Sequence, residues 1–219
     1  MVKTGTLIRL LTIACAFALG AATAQARDDG SPVKVVALGD SLTAGYGLPP
    51  GAALPSKLQA ALTAKGVAAT VANAGVSGDT MSGGLGRLDW SVPEGTEAVI
   101  VALGANDMLR GVDPKVTAAA LEKILARLKE RRIAVLLAGM RAAPNLGADY
   151  VRAYEGMFSV LAEKYGTLYY PFLLDGVAAN AKLNLQDGLH PNAGGVDVMV
   201  KGILPKVEEL VARAKAARG

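Results

Sequence analysis

From Arg27 onward, apolar residues recur at two alternating periods. Val33–Leu38 is a short Val-rich run stopped by Gly39, the pattern of a strand buried on both faces. Leu54, Leu58, Ala61 and Leu62 then recur at helical spacing up to Lys65, and Gly66 closes the segment. Ala69–Ala72 and Ala98–Leu103 read as the second and third strands, the latter ended by Gly104. Asp113 suits a helix N-cap and Pro114 the first helical position. The helix they open carries Leu121, Ile124, Leu125 and Leu128 on one face. It ends near Arg131 and Arg132, where cations favour a C-terminus. Ile133–Ala138 is a fourth strand, Tyr150–Tyr165 a helix closed by Gly166, and Leu168–Tyr170 a short fifth strand. In the last segment Val196, Met199, Val200, Ile203, Val207, Leu210 and Val211 keep helical register. Pro205 removes a backbone donor there and is expected to bend the helix.

Strand and helix in alternation imply parallel pairing through right-handed crossovers. Near-continuous apolar strands imply a sheet covered on both faces. No repeat, low-complexity tract or linker interrupts the pattern. Residues 27–219 are therefore expected to form one α/β domain, a three-layer α/β/α sandwich around a five-stranded parallel sheet. Ligands of such sheets gather at the carboxyl ends of the strands. Chemistry is sought in the segments after Leu38, Ala72, Leu103, Ala138 and Tyr170.

Composition alters this picture mainly at the N-terminus. The 219 residues are 52% apolar and 19% charged, which excludes disorder, a coiled coil and a disulfide scaffold. Lys3 and Arg9 lead into an apolar stretch, Leu10 to Leu19, broken only by Thr12, and small residues follow up to Ala24-Gln25-Ala26. This is the pattern of a secretory signal peptide over residues 1–26, cleaved after Ala26, and it implies a periplasmic or secreted protein. The run falls short of the roughly 18 residues of a membrane span. A lipoprotein reading with Cys15 acylated would cut the apolar run in half and would put Thr12 at its −3 position. Removing residues 1–26 lowers the net charge from +4 to +2, since Lys3 and Arg9 leave and no acidic residue does. That balance suggests no nucleic-acid partner, with the basic residues expected on solvated faces. Cys15 is the single cysteine, so the mature chain would have no thiol nucleophile and no cysteine metal site.

Four loop segments carry candidate chemistry. Gly39-Asp40-Ser41-Leu42 places Ser41 where the chain leaves the first strand. Backbone N–H groups at such a turn favour an oxyanion formed beside the serine, although a serine there is equally explained as a helix cap. Asn73 to Thr80 holds Gly75 and Gly78, which let backbone approach a ligand or simply form a turn. Gly104-Ala105-Asn106-Asp107 offers the Asn106 amide as an oxyanion donor, or as a loop tie. Asp187-Gly188-Leu189-His190-Pro191-Asn192 holds the single histidine. His190 is suited to general-base work near neutral pH. Asp187, three residues earlier, could fix its tautomer while the other ring nitrogen faces Ser41.

The order Ser, Asp, His is that of α/β-hydrolases, but their G-x-S-x-G elbow is absent. One histidine without H-E-x-x-H leaves too few ligands for a catalytic zinc, and no G-x-G-x-x-G follows the first strand. Taken together, the four segments resemble the SGNH hydrolases, the GDSL esterase/lipase family, and within it the bacterial periplasmic group of thioesterase I, protease I and lysophospholipase type, including arylesterases. The resemblance runs from about Val33 to the final helix. It implies a flavodoxin-like SGNH hydrolase fold and a serine esterase acting on carboxylic esters, with thioesters and lysophospholipids also within reach. It makes Ser41 the nucleophile, His190 the base and Asp187 its orienting partner. The backbone N–H groups of Ser41 and Gly78 and the Asn106 side chain become the oxyanion donors. Gly78, rather than Gly75, is matched because it precedes Asp79-Thr80. Ala105 stands where many relatives carry Gly, and its methyl could narrow the pocket.

The expected enzyme needs no cofactor and no metal. It acts on a small acyl-ester or lipid-like substrate, has no membrane span in the mature chain, and is expected to be a monomer. Met108, Leu109, Leu146, Phe172, Leu173 and Leu174 are expected to line a pocket for a medium acyl chain. The competing reading is a non-catalytic carbohydrate- or lipid-binding module on the same fold.

Overall fold

In a computed structural model describing residues 30–218, strand β1 (Val33–Gly39) lies inside a parallel sheet between β2 (Ala69–Gly75) and β3 (Ala98–Ala102). β4 (Ala134–Ala138) and β5 (Leu168–Tyr170) complete the sheet, in the order β2-β1-β3-β4-β5. All pairings are parallel, as the apolar runs predict. The proposed signal peptide and its cleavage point lie outside the described residues.

Helix α1 (Ser41–Ala44) follows β1, and α2 (Leu54–Ala64) leads into β2. Short helices α3 (Met81–Gly86) and α4 (Leu88–Ser91) lie between β2 and β3. After β3 come α5 (Ala105–Leu109) and α6 (Pro114–Glu130). Helix α7 (Ala148–Tyr165) precedes β5, and α8 (Ala193–Ala216) ends the fold. Helices α2 and α8 pack against each other, α6 packs against α3 and α7, and α8 also contacts β1, β3, β4 and β5. The core is the set of residues the periodicity marks out. Leu58 and Leu62 of α2, Leu121, Ile124, Leu125 and Leu128 of α6, and Val207 and Leu210 of α8 are all buried. Each such side chain removed from water contributes about 1.5–3 kcal/mol.

The capping expectation for α6 holds, because the Asp113 carboxylate accepts from the Lys115 N–H at 2.9 Å and Pro114 is the first helical residue. Other boundaries move. β2 runs on to Gly75, through residues expected in a loop, because Asn73, Ala74 and Gly75 stay in register with Ala37, Leu38 and Gly39. Helix α8 is continuous across Pro205. The one-turn helices α1, α3, α4 and α5 are too short for a periodic pattern to mark them.

Order 2-1-3-4-5 reverses direction between β1 and β3. The crevice at such a reversal, beyond the carboxyl ends of the strands, is where ligands bind in open α/β sheets. Ser41 follows β1 and Asn106 follows β3, so this topology alone brings the two together.

Candidate active site

The chain leaves β1 through Asp40, whose Oδ1 accepts the Leu42 N–H at 3.0 Å and caps α1. This tight turn makes Ser41 the first helical residue, with its N–H beyond the reach of any intrahelical acceptor. β2 must pass close beneath it. A β-carbon at Gly75 would sit 2.2 Å from the Ala44 nitrogen, so Gly75 serves the packing of the Ser41 turn. Asp40 itself is wholly buried, and its Oδ2 has no hydrogen-bond partner. Burial raises its pKa to about 6 against the opposing Leu42 hydrogen bond.

The three candidate catalytic side chains meet. Ser41 Oγ is 2.9 Å from His190 Nε2, and His190 Nδ1 is 2.7 Å from Asp187 Oδ2. With Asp187 ionised, Nδ1–H donates to the carboxylate and leaves Nε2 to accept the serine proton. Asp187 stays ionised because it is bonded from several sides. Its Oδ1 accepts from the His190 N–H at 3.0 Å and the Leu189 N–H at 2.9 Å. These backbone bonds, with the imidazole bond, hold its pKa down to about 2. The same contacts make the loop from Asp187 to His190 a preformed turn. The sequence spacing showed an aspartate at i−3, and this turn is what that spacing builds. The Tyr46 ring lies 4.4 Å from the imidazole centroid, tilted by 35°. Nothing in the spacing of residues had marked Tyr46.

The candidate oxyanion donors converge from the other side. Asn106 lies in the first turn of α5, and one of its amide hydrogens goes to the Asp79 carbonyl at 2.9 Å. That bond anchors the amide and leaves its second N–H available. Gly78 has φ of +82°, a backbone conformation that disfavours any other residue. Its carbonyl accepts from Arg110 Nη2 at 2.7 Å. Among the described residues, neither the Ser41 N–H nor the Gly78 N–H has an acceptor. Asp107 supports the Asn106 turn from below. It is buried and bonded to the Met81 N–H at 2.8 Å and to Thr117 Oγ1 at 3.1 Å. It thereby ties α5 to α3 and α6, and burial raises its pKa.

A cavity of about 110 Å³ opens beside Ser41, His190 and Asn106, lined by Leu42, Ala105, Met108, Leu109, Met140, Leu174 and Leu189. Met108, Leu109, Leu174 and Ala105 lie where the sequence placed them. Leu146, Phe172 and Leu173 do not line it. After β5 the chain turns back so that the Leu173 N–H bonds the Gly139 carbonyl, and this buries Leu173 in the core. Phe172 instead lies beneath the Arg141 guanidinium, 4.8 Å from its centre. The cavity therefore has only half of the expected apolar lining: the turn after β5 diverts Phe172 and Leu173, and Leu146, in the segment before α7, lies away from it.

Residues 37–198 match the GDSL-like Lipase/Acylhydrolase family. The chain belongs to this family. Over 84% of its length it is 38% identical to an arylesterase of Vibrio mimicus, of which it covers 90%. Over 78% it is 35% identical to the thioesterase 1/protease 1/lysophospholipase L1 of Escherichia coli K12, of which it covers 83%. The solved structure of AlinE4, an SGNH-hydrolase family esterase, superposes with a TM-score of 0.70 at 44% identity. The match covers 82% of this chain and 97% of AlinE4. This GDSL-like hydrolase is a carboxylic ester hydrolase on an SGNH-type α/β fold, and no observation favours the non-catalytic binding module. No helix among the described residues is long and apolar enough to cross a membrane.

Proposed function

We propose that Ser41, His190 and Asp187 hydrolyse short-chain aryl and alkyl esters through an acyl-enzyme on Ser41. The observation that carries this reading is the 2.9 Å contact between Ser41 Oγ and His190 Nε2, continued to Asp187 at 2.7 Å. His190 Nε2 takes the hydroxyl proton as Ser41 Oγ attacks the acyl carbonyl. The carbonyl oxygen becomes an oxyanion and receives the N–H groups of Ser41 and Gly78 and the free amide hydrogen of Asn106. Collapse of the tetrahedral intermediate breaks the ester bond, and imidazolium returns the proton to the departing alcohol. Water then attacks the acyl-serine, losing a proton to Nε2. The second tetrahedral intermediate collapses, the bond from the acyl carbon to Ser41 Oγ breaks as imidazolium returns the proton to Oγ, and the acid leaves. Asp187 keeps the imidazole in the productive tautomer and steadies its positive form. Each step uses a side chain or backbone N–H of this chain.

The 110 Å³ cavity is well below the roughly 300 Å³ at which pockets for drug-sized ligands begin. It favours a short acyl group beside Ala105 and Met140. The similarity to an arylesterase and to a thioesterase 1/lysophospholipase L1 extends the candidate substrates to thioesters and lysophospholipids. Labelling with a fluorophosphonate is the test. The probe should modify Ser41, and Ser41→Ala should abolish both labelling and hydrolysis of p-nitrophenyl esters with the thermal midpoint unchanged. Normal turnover by Ser41→Ala would refute the mechanism.

The N-terminal pattern of Lys3, Arg9, the apolar stretch and Ala24-Gln25-Ala26 supports export to the periplasm or medium. Mass spectrometry of the exported chain should find Arg27 at its N-terminus. An intact Met1 or a lipidated Cys15 would overturn this.

A further inference from the structure

Arg87 lies outside every segment that carries the proposed chemistry, yet its side chain is only 16% exposed. It joins α3 to α4, and of its four side-chain hydrogen bonds three converge on the site from beneath while the fourth, to Ser91, ties it to α4. Nε donates to Asp79 Oδ2 at 2.7 Å, Nη2 to the Gly39 carbonyl at 2.8 Å, and Nη1 to the Ala74 carbonyl at 2.9 Å and to Ser91 Oγ at 2.8 Å. Gly39 is two residues before Ser41. Ala74 is on the strand that runs under the Ser41 turn. Asp79 follows Gly78, and its own carbonyl anchors the Asn106 amide.

We propose that Arg87 is a positioning residue for the oxyanion site, a clamp whose single planar guanidinium fixes the three segments that supply the Ser41, Gly78 and Asn106 donors. This rests on the mechanism proposed above.

The chemistry suits arginine and no other residue. Five N–H groups lie in one rigid plane, so one side chain can bond a carboxylate and two carbonyls at fixed angles. The Asp79 carboxylate, itself 12% exposed, neutralises the charge that would otherwise be buried alone. Lysine has a compact ammonium and would keep the ion pair but could not span Gly39, Ala74 and Asp79 together. Displacing an oxyanion donor by a fraction of an ångström affects the transition state more than the bound substrate, because the oxyanion exists only in the former.

Arg87→Lys should therefore lower kcat by about 10–100-fold with KM within about twofold. Inactivation by a p-nitrophenyl phosphonate, which also places an anionic oxygen among these donors, should slow in proportion. Ser91→Ala removes the bond that points away from the site and should leave kcat within about twofold of the parent while lowering the thermal midpoint. If Arg87→Lys does not fold, Asp79→Asn carries the same test. It keeps the Asp79 carbonyl and weakens only the ion pair, so kcat and phosphonate reactivity should fall together, by less. A lowered thermal midpoint with parental kcat and phosphonate reactivity in the folded variant would reduce Arg87 to a structural brace and overturn the proposal. Failure of the underlying mechanism looks different, since it would appear as an active Ser41→Ala.

Discussion

The two halves of the site are held in place by different means. On the nucleophile side, Asp40, Ser41 and Thr43 are buried, and the turn sits on β1 and β2 deep in the sheet. On the base side, His190 and Asp187 side chains are 22% and 36% exposed, at the end of a segment from Pro171 to Asn192 with no helix or strand. Irregular segments of this length are uncommon in compact domains and tend to be functional. The first half draws its geometry from packing. The second draws it from local hydrogen bonds. Asn184 Nδ2 bonds the Val177 and Asn180 carbonyls, Asn192 Nδ2 bonds the Lys182 carbonyl, and the Leu185 N–H meets the His190 carbonyl at 2.7 Å. Asp187 completes the set through three bonds to its own turn.

The difference has a physical rationale. The serine must stay fixed relative to the oxyanion donors within a fraction of an ångström, and a sheet provides that stiffness. In the proposed mechanism the imidazole gives up and retakes a proton and moves between serine and leaving group. A hydrogen-bonded loop permits such movement while Asp187 limits it.

If this division is right, changes on the base side should cost rate with little stability. His190→Ala removes the base and the acid together, and kcat should fall by about 10⁴-fold or more with a thermal midpoint near that of the parent. Asp187→Asn should keep part of the activity, because the imidazole remains although its tautomer is no longer held. Asn106→Ala removes one oxyanion donor from the opposite half and should cost about 10²–10³-fold in kcat, again with little change in midpoint. Steady-state kinetics and melting curves on the three variants decide the matter. Lowered midpoints with parental rates would mean that these residues hold loops rather than perform chemistry.

Much of this was legible in the sequence because the informative residues are punctuated. Gly39 ends β1 and Gly104 stands two residues past the end of β3, with Ser41 and Asn106 each two residues further on, so periodicity located the sheet and its carboxyl edge together. The contact of Ser41, His190 and Asp187 that the proposed mechanism uses was legible because the histidine is single and its aspartate is local. What escaped depended on three-dimensional convergence. Arg87 counted as one of many basic residues expected on solvated faces, and no spacing relates it to Gly39 or Asp79. The structure buries it, and keeps Arg131 and Arg218 mostly covered as well. Tyr46 lies 144 positions from His190 along the chain, so only the folded turn places one ring against the other. The diverted pocket residues Phe172 and Leu173 were apolar and in the right segment, but side-chain direction after β5 is set by a turn whose bond to Gly139 leaves no local signature.

The smallest predicted effect lies under the nucleophile and probes the cost of that buried half. Asp40 has one carboxylate oxygen bonded and the other buried without a partner, and its pKa stands at about 6 in the fold against an ordinary 3.8. Between these two pH values the folded chain holds more protons at this position than the unfolded chain. Stability at Asp40 therefore falls as pH rises through the window, and the full cost is present above about pH 6. A shift of this size corresponds to about 2–3 kcal/mol. Asp40→Asn keeps an oxygen to accept the Leu42 N–H but cannot ionise. The variant carries its own cost from a buried amide, and that cost does not depend on pH. Other titrating groups, Asp107 included, are common to both proteins and cancel in the difference. The stability of Asp40→Asn relative to the parent should thus improve by about 2–3 kcal/mol between pH 3.5 and pH 8, with most of the change between pH 4 and 6. Urea unfolding of both proteins across that range measures it. A difference that stays flat with pH would show that Asp40 ionises as easily in the fold as in the open chain, and the buried side of the comparison would then carry no electrostatic cost.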